Sequence, residues 1–213
     1  MAKITFCVRN TSHMKIIGIA GGSGSGKTTF AHKIRERVQD DRVSLLSQDS
    51  YYLAKHPESL VVDGENNYDH PDAFDWGLFE EHLRKFKAQE TVHVPVYGYN
   101  EGRLADKFIK MDPCDVLLVE GIFTLYSKDI RKLFDLSVFL HVDADIRFIR
   151  RLHRDVADRG RTVENITHRY YQMVRPMHQK YLDPTRDYAN IVVGEETDRA
   201  ADVVSAQVKE WLK

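Results

Sequence analysis

The chain has 213 residues, 42% of them hydrophobic and 30% charged, a composition that supports a sizeable packed core in one domain and excludes a disordered chain. Its 31 basic and 32 acidic residues leave a formal net charge of -1, which argues against a general nucleic-acid-binding surface. No apolar run approaches the roughly 18 residues of a membrane span and no secretory signal pattern opens the chain, while Cys7 and Cys114 lack metal-ligand spacing, so free thiols in a cytoplasmic protein are expected.

Residues 1–13 read as an extension ahead of Met14, with a short edge strand at 3–8. Then comes the apolar run Ile16-Ile17-Gly18-Ile19-Ala20, the segment Gly21-Gly22-Ser23-Gly24-Ser25-Gly26-Lys27-Thr28, and the helix-forming Thr29-Phe30-Ala31-His32-Lys33-Ile34. Strand, glycine-rich loop and helix follow in the order that the phosphate-binding form GxxxxGK[ST] requires. Backbone N–H groups and the helix N-terminus can cradle a phosphate chain. Lys27 supplies a mobile charge to the outer phosphates, and the Thr28 hydroxyl can ligate Mg²⁺. A nucleoside triphosphate is the expected ligand.

The helix is predicted to run to about residue 39, followed by a strand at 43–47 that ends in Gln48-Asp49-Ser50-Tyr51-Tyr52. Parallel α/β sheets place ligands at such strand ends, so Asp49 is a candidate general base, with ligation of metal-bound water as its alternative role. Residues 53–72 hold Asp63-Gly64, Asn66-Asn67 and His70-Pro71 and read as one long loop. Asp75 is the expected N-cap of a helix over 76–87 whose apolar face carries Leu78, Phe79, Leu83 and Phe86. A β-hairpin insertion is predicted at about 91–110. Buried strands follow at 115–119 and 136–142, the first ending in Glu120, where phosphate-loop proteins carry a second acidic group near the metal.

Helices are predicted over 143–158 and 162–174, the second stopping before Pro176, then a last strand at 189–193 and a closing helix over 198–212 that buries Val203, Val204, Val208, Trp211 and Leu212. Residues 150–161 hold five arginines and end at a break around Gly160. The planar guanidinium fork suits phosphate oxygens and a transferring phosphoryl group, so this run reads as a lid over the triphosphate. Alternating strands and helices predict an α/β fold of the P-loop NTPase type, a parallel sheet flanked by helices, with the β-hairpin insertion and an arginine-rich helical lid at about 144–182. Residues 14–213 would form a single domain.

The chain resembles the uridine–cytidine kinases of the P-loop nucleoside kinases, through the phosphate loop, the segments 48–52, 67–75, 94–97 and 119–123, the arginine run, and the segments 174–178 and 184–189. That resemblance implies transfer of the γ-phosphate of ATP or GTP to the 5′-hydroxyl of uridine or cytidine, in pyrimidine salvage. It makes Asp49 the base and Asp69 the holder of the ribose hydroxyls, with Tyr68, Tyr97 and Tyr99 lining the base pocket and Arg151 and Arg169 near the nucleoside. Gly21 to Thr28, Thr29 and Arg154 would bind ATP, Lys27, Arg159 and Arg161 would act on the transferring group, and Thr28, Asp49 and Glu120 would organise Mg²⁺. A homotetramer is a family expectation. The chain departs from the family pattern at Gly102, where a base-reading histidine is usual, and at Arg169, where glutamine is frequent. Two rival readings remain: a kinase of the same fold acting on another sugar-like alcohol such as nicotinamide riboside, and a nucleotide-binding regulator without turnover.

Overall fold

A computed structural model describes residues 14–98 and 102–213; the strand expected at 3–8, Cys7 and Tyr99 lie outside the described residues. The chain builds β1 (Lys15–Gly21), α1 (Lys27–Val38), β2 (Val43–Ser47), the short strands β3 (Val61–Val62) and β4 (Glu65–Asn66), α2 (Trp76–Lys87), the hairpin β5 (Val92–Gly98) and β6 (Gly102–Met111), β7 (Val116–Glu120), α3 (Lys128–Arg131), β8 (Leu136–Leu140), α4 (Ala144–Ala157), α5 (Val163–Arg169), α6 (Arg175–Met177), β9 (Ile191–Val193) and α7 (Thr197–Trp211).

Five strands form one parallel sheet in the order β2-β7-β1-β8-β9. Period-2 alternation splits their side chains between two cores. Ile17, Ile19, Val116, Leu118, Val138 and Leu140 face α1 and α7, where they meet Phe30, Ile34, Val204 and Val208. Ile16, Leu46, Leu117 and Val119 face the other way, onto Phe79, Leu83 and Phe86 of α2 and Val92 and Val94 of β5. The central strand β1 has β7 on one side and β8 on the other, so strand order reverses there, and the carboxyl ends of β1, β2 and β7 converge on one crevice.

Several expectations are corrected. The stretch 53–72 is not a bare loop: Asp63 and Gly64, both at positive φ, turn a two-residue hairpin between β3 and β4, the geometry that Asp-Gly favours. The helix after Thr162 does not stop before Pro176. Its axis continues through the π-helical stretches Tyr170–Val174 and His178–Leu182 on either side of α6. Proline lacks an N–H and collides with the i−4 carbonyl of a regular α-helix, and wider i→i+5 turns relieve both demands. In α7 the buried positions are Ala201, Val204, Ser205 and Val208, spaced for one helical face, whereas Val203 is exposed. The short helix α3, capped by the Ser127 hydroxyl accepting from the Ile130 N–H, is too brief to show a helical periodicity in the sequence.

Candidate active site

The phosphate loop leaves β1 at Gly21 and enters α1 at Lys27. Gly24 has φ +82 and its position would drive a Cβ to within 2.3 Å of the Arg147 carbonyl oxygen, while a Cβ on Gly22 would meet the Arg147 guanidinium at 2.6 Å. Arg147 itself is buried on α4, with Nε donating to the Val142 carbonyl at 2.9 Å and Nη2 donating to His178 Nε2 at 3.3 Å. The loop is thus wedged from behind by an arginine that no motif flagged. No side chain caps α1 and no acidic residue occupies its first turn, so its N-terminal N–H groups and partial positive charge are directed at the cleft. Lys27 Nζ donates to the Gly22 carbonyl at 3.2 Å, and burial holds its pKa below the usual lysine value.

At the end of β2, Ser47 organises the acidic pair. Its hydroxyl accepts from the Asp49 N–H at 3.3 Å and donates to Glu120 Oε1 at 2.9 Å, a bridge made possible because Ser47 and Glu120 are register partners on β2 and β7. Asp49 is open to the water of the cleft yet walled by protein. That enclosure, with the negative charge of Glu120 beside it, pushes its pKa up from 3.8 to about 6 against the opposing pull of Lys27, Arg159 and Arg154.

One cleft gathers Ser23, Gly24, Lys27, Thr28, Asp49, Glu120, Arg151, Arg154, Arg159 and Arg161 together with Tyr52, Tyr68, Asp69, Tyr97, Ile122 and Arg169, convergent polar and charged groups beside aromatic walls, as small-molecule sites require. Gly21, Gly22, Ser25 and Gly26 frame the loop without lining the cleft, and Thr29 points outward, exposed. At the far end, Tyr52 packs on Tyr68 and Tyr97 with ring centroids 5.1 Å away in each case. Tyr52 carries no motif signal of its own, although it lies three residues after Asp49. Burial and the nearby Asp49 and Asp69 hold its hydroxyl well above the usual tyrosine pKa.

Asp69 is set by an Asx turn, its N–H donating to Asn67 Oδ1 at 3.1 Å, and it lies 3.9 Å from Arg151 Nη1. Arg151 also donates to Ser23 Oγ at 2.9 Å, linking the phosphate loop to Asp69. Arg169 reaches the cleft wall from α5 but is already engaged, by an ion pair with Glu65 and by donation to the Asn66 carbonyl at 3.3 Å. The arginine run is not a solvated face either: Arg151, Arg154, Arg159 and Arg161 surround Asp155, which has no exposed surface. Arg150, in contrast, turns away to Glu195 at 3.6 Å.

Among the described residues no cluster of three or more His, Cys, Asp or Glu side chains could hold a metal ion unaided. The donor set still fits Mg²⁺, which takes one or two carboxylates and completes its shell with water and substrate phosphates. Asp49 and Glu120 are close enough for each charge to oppose the other, and Thr28 adds a hydroxyl on the same cleft.

Residues 16–201 match the family model described as the phosphoribulokinase / uridine kinase family. The chain is 44% identical over 200 residues to a uridine kinase of Lactobacillus johnsonii, covering 92% of this chain and 95% of that one. It is 39% identical over 206 residues to a uridine kinase of Macrococcus caseolyticus, covering 95% and 99%. Among solved structures, a D-glycerate 3-kinase from Cryptococcus neoformans superposes with a TM-score of 0.61 at 17% identity, over 86% of this chain and 87% of that one, a likeness of fold.

Proposed function

Since the chain belongs to the phosphoribulokinase / uridine kinase family, we propose that it transfers the γ-phosphoryl group of ATP or GTP to the 5′-hydroxyl of a pyrimidine ribonucleoside, uridine or cytidine, in the cytoplasm. The observation that carries this reading is the arrangement of a single cleft. Phosphate-loop residues and arginines occupy one end, Asp69 and three tyrosines the other, with Asp49 among them.

In this reading the loop N–H groups, Lys27 and Arg154 hold the triphosphate, and Lys27, Arg159 and Arg161 offset the charge that builds on the transferring group. Thr28, Asp49 and Glu120 would hold Mg²⁺, whose charge would offset that of the phosphates. Asp49 accepts the proton of the 5′-hydroxyl, and a carboxylate with a pKa of about 6 is both ionised at neutral pH and basic enough to be useful. Asp69 accepts hydrogen bonds from the ribose 2′- and 3′-hydroxyls, and Tyr68 and Tyr97 flank the base. Arg151, through Asp69 and Ser23, keeps acceptor and donor ends in one geometry. Arg169, tied to Glu65, closes the base end. Residues 14–213 act as one domain, with 91–110 as the hairpin insertion and 144–182 as the lid, and the assembly is a homotetramer.

The test is ADP release measured over a panel of nucleosides and other alcohols with MgATP. Turnover of uridine or cytidine above all other acceptors is expected. Faster turnover of nicotinamide riboside or another sugar-like alcohol, or no turnover while ATP still binds, would overturn the assignment.

A further inference from the structure

Asp155 is the one fully buried carboxylate among the described residues of the arginine run, and the phosphoryl-transfer chemistry gives it no role. Its Oδ1 accepts from Arg154, through Nε at 2.9 Å and Nη2 at 2.8 Å, and from Arg159 Nη1 at 2.9 Å. Its Oδ2 lies 3.5 Å from Arg151 Nε and 3.8 Å from Arg161 Nη1. Its backbone carbonyl accepts from the Arg161 N–H at 3.1 Å, so the turn through Gly160, at φ +63, folds Arg161 back onto the same residue. All four arginines line the cleft.

Three features separate this arrangement from an ordinary ion pair. One carboxylate is shared by four guanidiniums, and even with Asp69 beside Arg151 the arginines outnumber the carboxylates they pair with and line the cleft. A buried carboxylate is stable only with such partners, so their positions are mutually dependent. Each guanidinium presents donors along several edges, and holding one edge fixes the plane in which the others lie. A polyphosphate then meets arginines already oriented, and the side-chain entropy of ordering them is not charged against binding.

We propose that Asp155 is a positioning residue of the donor end, which gathers Arg151, Arg154, Arg159 and Arg161 into the orientation that receives the phosphates. The proposal rests on the reading of the cleft as a phosphoryl-transfer site, but its consequence for anion binding needs no acceptor. The sign of the effect separates it from its alternatives. Were Asp155 only a neutralising bystander, Asp155→Asn would leave the cleft one charge more positive and tighten its hold on anions. Were it only a brace of the fold, Asn would lower the melting temperature and leave anion affinity unchanged in the folded protein.

The experiment is calorimetric titration of the full chain with tripolyphosphate at a temperature where every variant is folded, comparing wild type, Asp155→Asn and Asp155→Glu. Positioning predicts a dissociation constant raised at least tenfold in Asn, with Glu between Asn and wild type because it restores the charge. An unchanged or lower constant in Asn overturns the proposal. Should Asn fail to fold, Glu alone decides, since displacing the carboxylate by one methylene is expected to weaken binding at least threefold, and wild-type affinity in Glu would overturn it. Uridine turnover by the wild type is measured alongside. Its absence would refute the acceptor assignment while leaving the tripolyphosphate comparison to stand or fall alone.

Discussion

Asp49 carries the most specific consequence of the site. Enclosure and the Glu120 charge set its pKa at about 6, so its ionised fraction rises from about one-tenth at pH 5 to about nine-tenths at pH 7, and kcat/KM for the nucleoside should rise about tenfold between them. With Asp49 as the proposed base, Asp49→Asn is expected to lower kcat by about 10²- to 10⁴-fold, the usual yield of general-base assistance. Glu120→Gln removes the neighbouring negative charge, so the acid limb should move to lower pH. Product formation followed by chromatography from pH 4.5 to 8 avoids the pH dependence of coupling enzymes. A flat wild-type profile from pH 5 to 7 with the protein folded, or an Asn variant retaining more than a third of kcat, would refute the assignment. So would a limb in Glu120→Gln that moves to higher pH.

Stability should show the opposite trend. The Asp49 carboxyl binds its proton more tightly in the folded chain than in the unfolded one, so stability contributed by the protonated form is lost as pH rises from about 4 to about 6. Above pH 6 the wild type holds an ionised group its environment disfavours, and Asp49→Asn should melt no lower than wild type at pH 7. A clear fall in its melting temperature there would mean that the ionised carboxylate is a net structural asset.

Further expectations concern the loop, a helix cap and the acceptor end. Gly24→Ala must hold φ near +82 and push the Arg147 carbonyl aside, so a loss of about 2 kcal/mol or more in urea unfolding is expected, together with weakened ATP binding; wild-type stability would contradict the wedge geometry. Asp75→Ala removes the acceptor of the Leu78 N–H, 3.1 Å from Asp75 Oδ1, and should cost about 1 kcal/mol in the same assay. Asp69→Asn should raise KM for uridine roughly 10- to 100-fold, the loss of charge-assisted hydrogen bonds. It should also shrink the preference for uridine over 2′-deoxyuridine, with KM for ATP little changed; an undiminished preference would move the ribose contact elsewhere.

The fold was legible where local signals agreed. The strand–loop–helix at 15–38 and the capped helix Trp76–Lys87 stand where apolar periodicity and capping residues put them. What escaped was non-local or locally contradictory. Pro176 reads as a helix stop, yet π-helical turns carry the axis past it. Asp63-Gly64 is a strong hairpin signal that the two-residue strands beside it were too short to support. Asp155 and Arg147 could not be ranked from sequence at all. Asp155 and Asp158 are both acids within the arginine run, and only burial among four guanidiniums separates the first from the second. Arg147 acts through its contact with loop glycines more than a hundred residues earlier.

The two ends of the cleft rest on different kinds of structure, and this bears on where substrate choice can vary. On its phosphate-loop side the donor end is set mostly by backbone: loop glycines, an uncapped helix terminus, and strand register that fixes Ser47 against Glu120. Such geometry tolerates little change without loss of the sheet itself. The acceptor end is set by side chains carried on insertions. Tyr97 stands on β5, and Tyr68 and Asp69 follow β4. Arg169 approaches from α5 and is held by Glu65 of β4. Glu65 in turn accepts from Asn165 Nδ2 at 2.8 Å, so the short β3–β4 hairpin and α5 are latched together across the base end. Changing Glu65 to Gln would weaken that latch and leave Arg169 held by the Asn66 carbonyl, without touching the donor machinery. Its effect should therefore fall on nucleoside KM and on the choice among bases, with KM for ATP unmoved. An equal loss with every nucleoside and with ATP would mean instead that the latch supports the whole cleft.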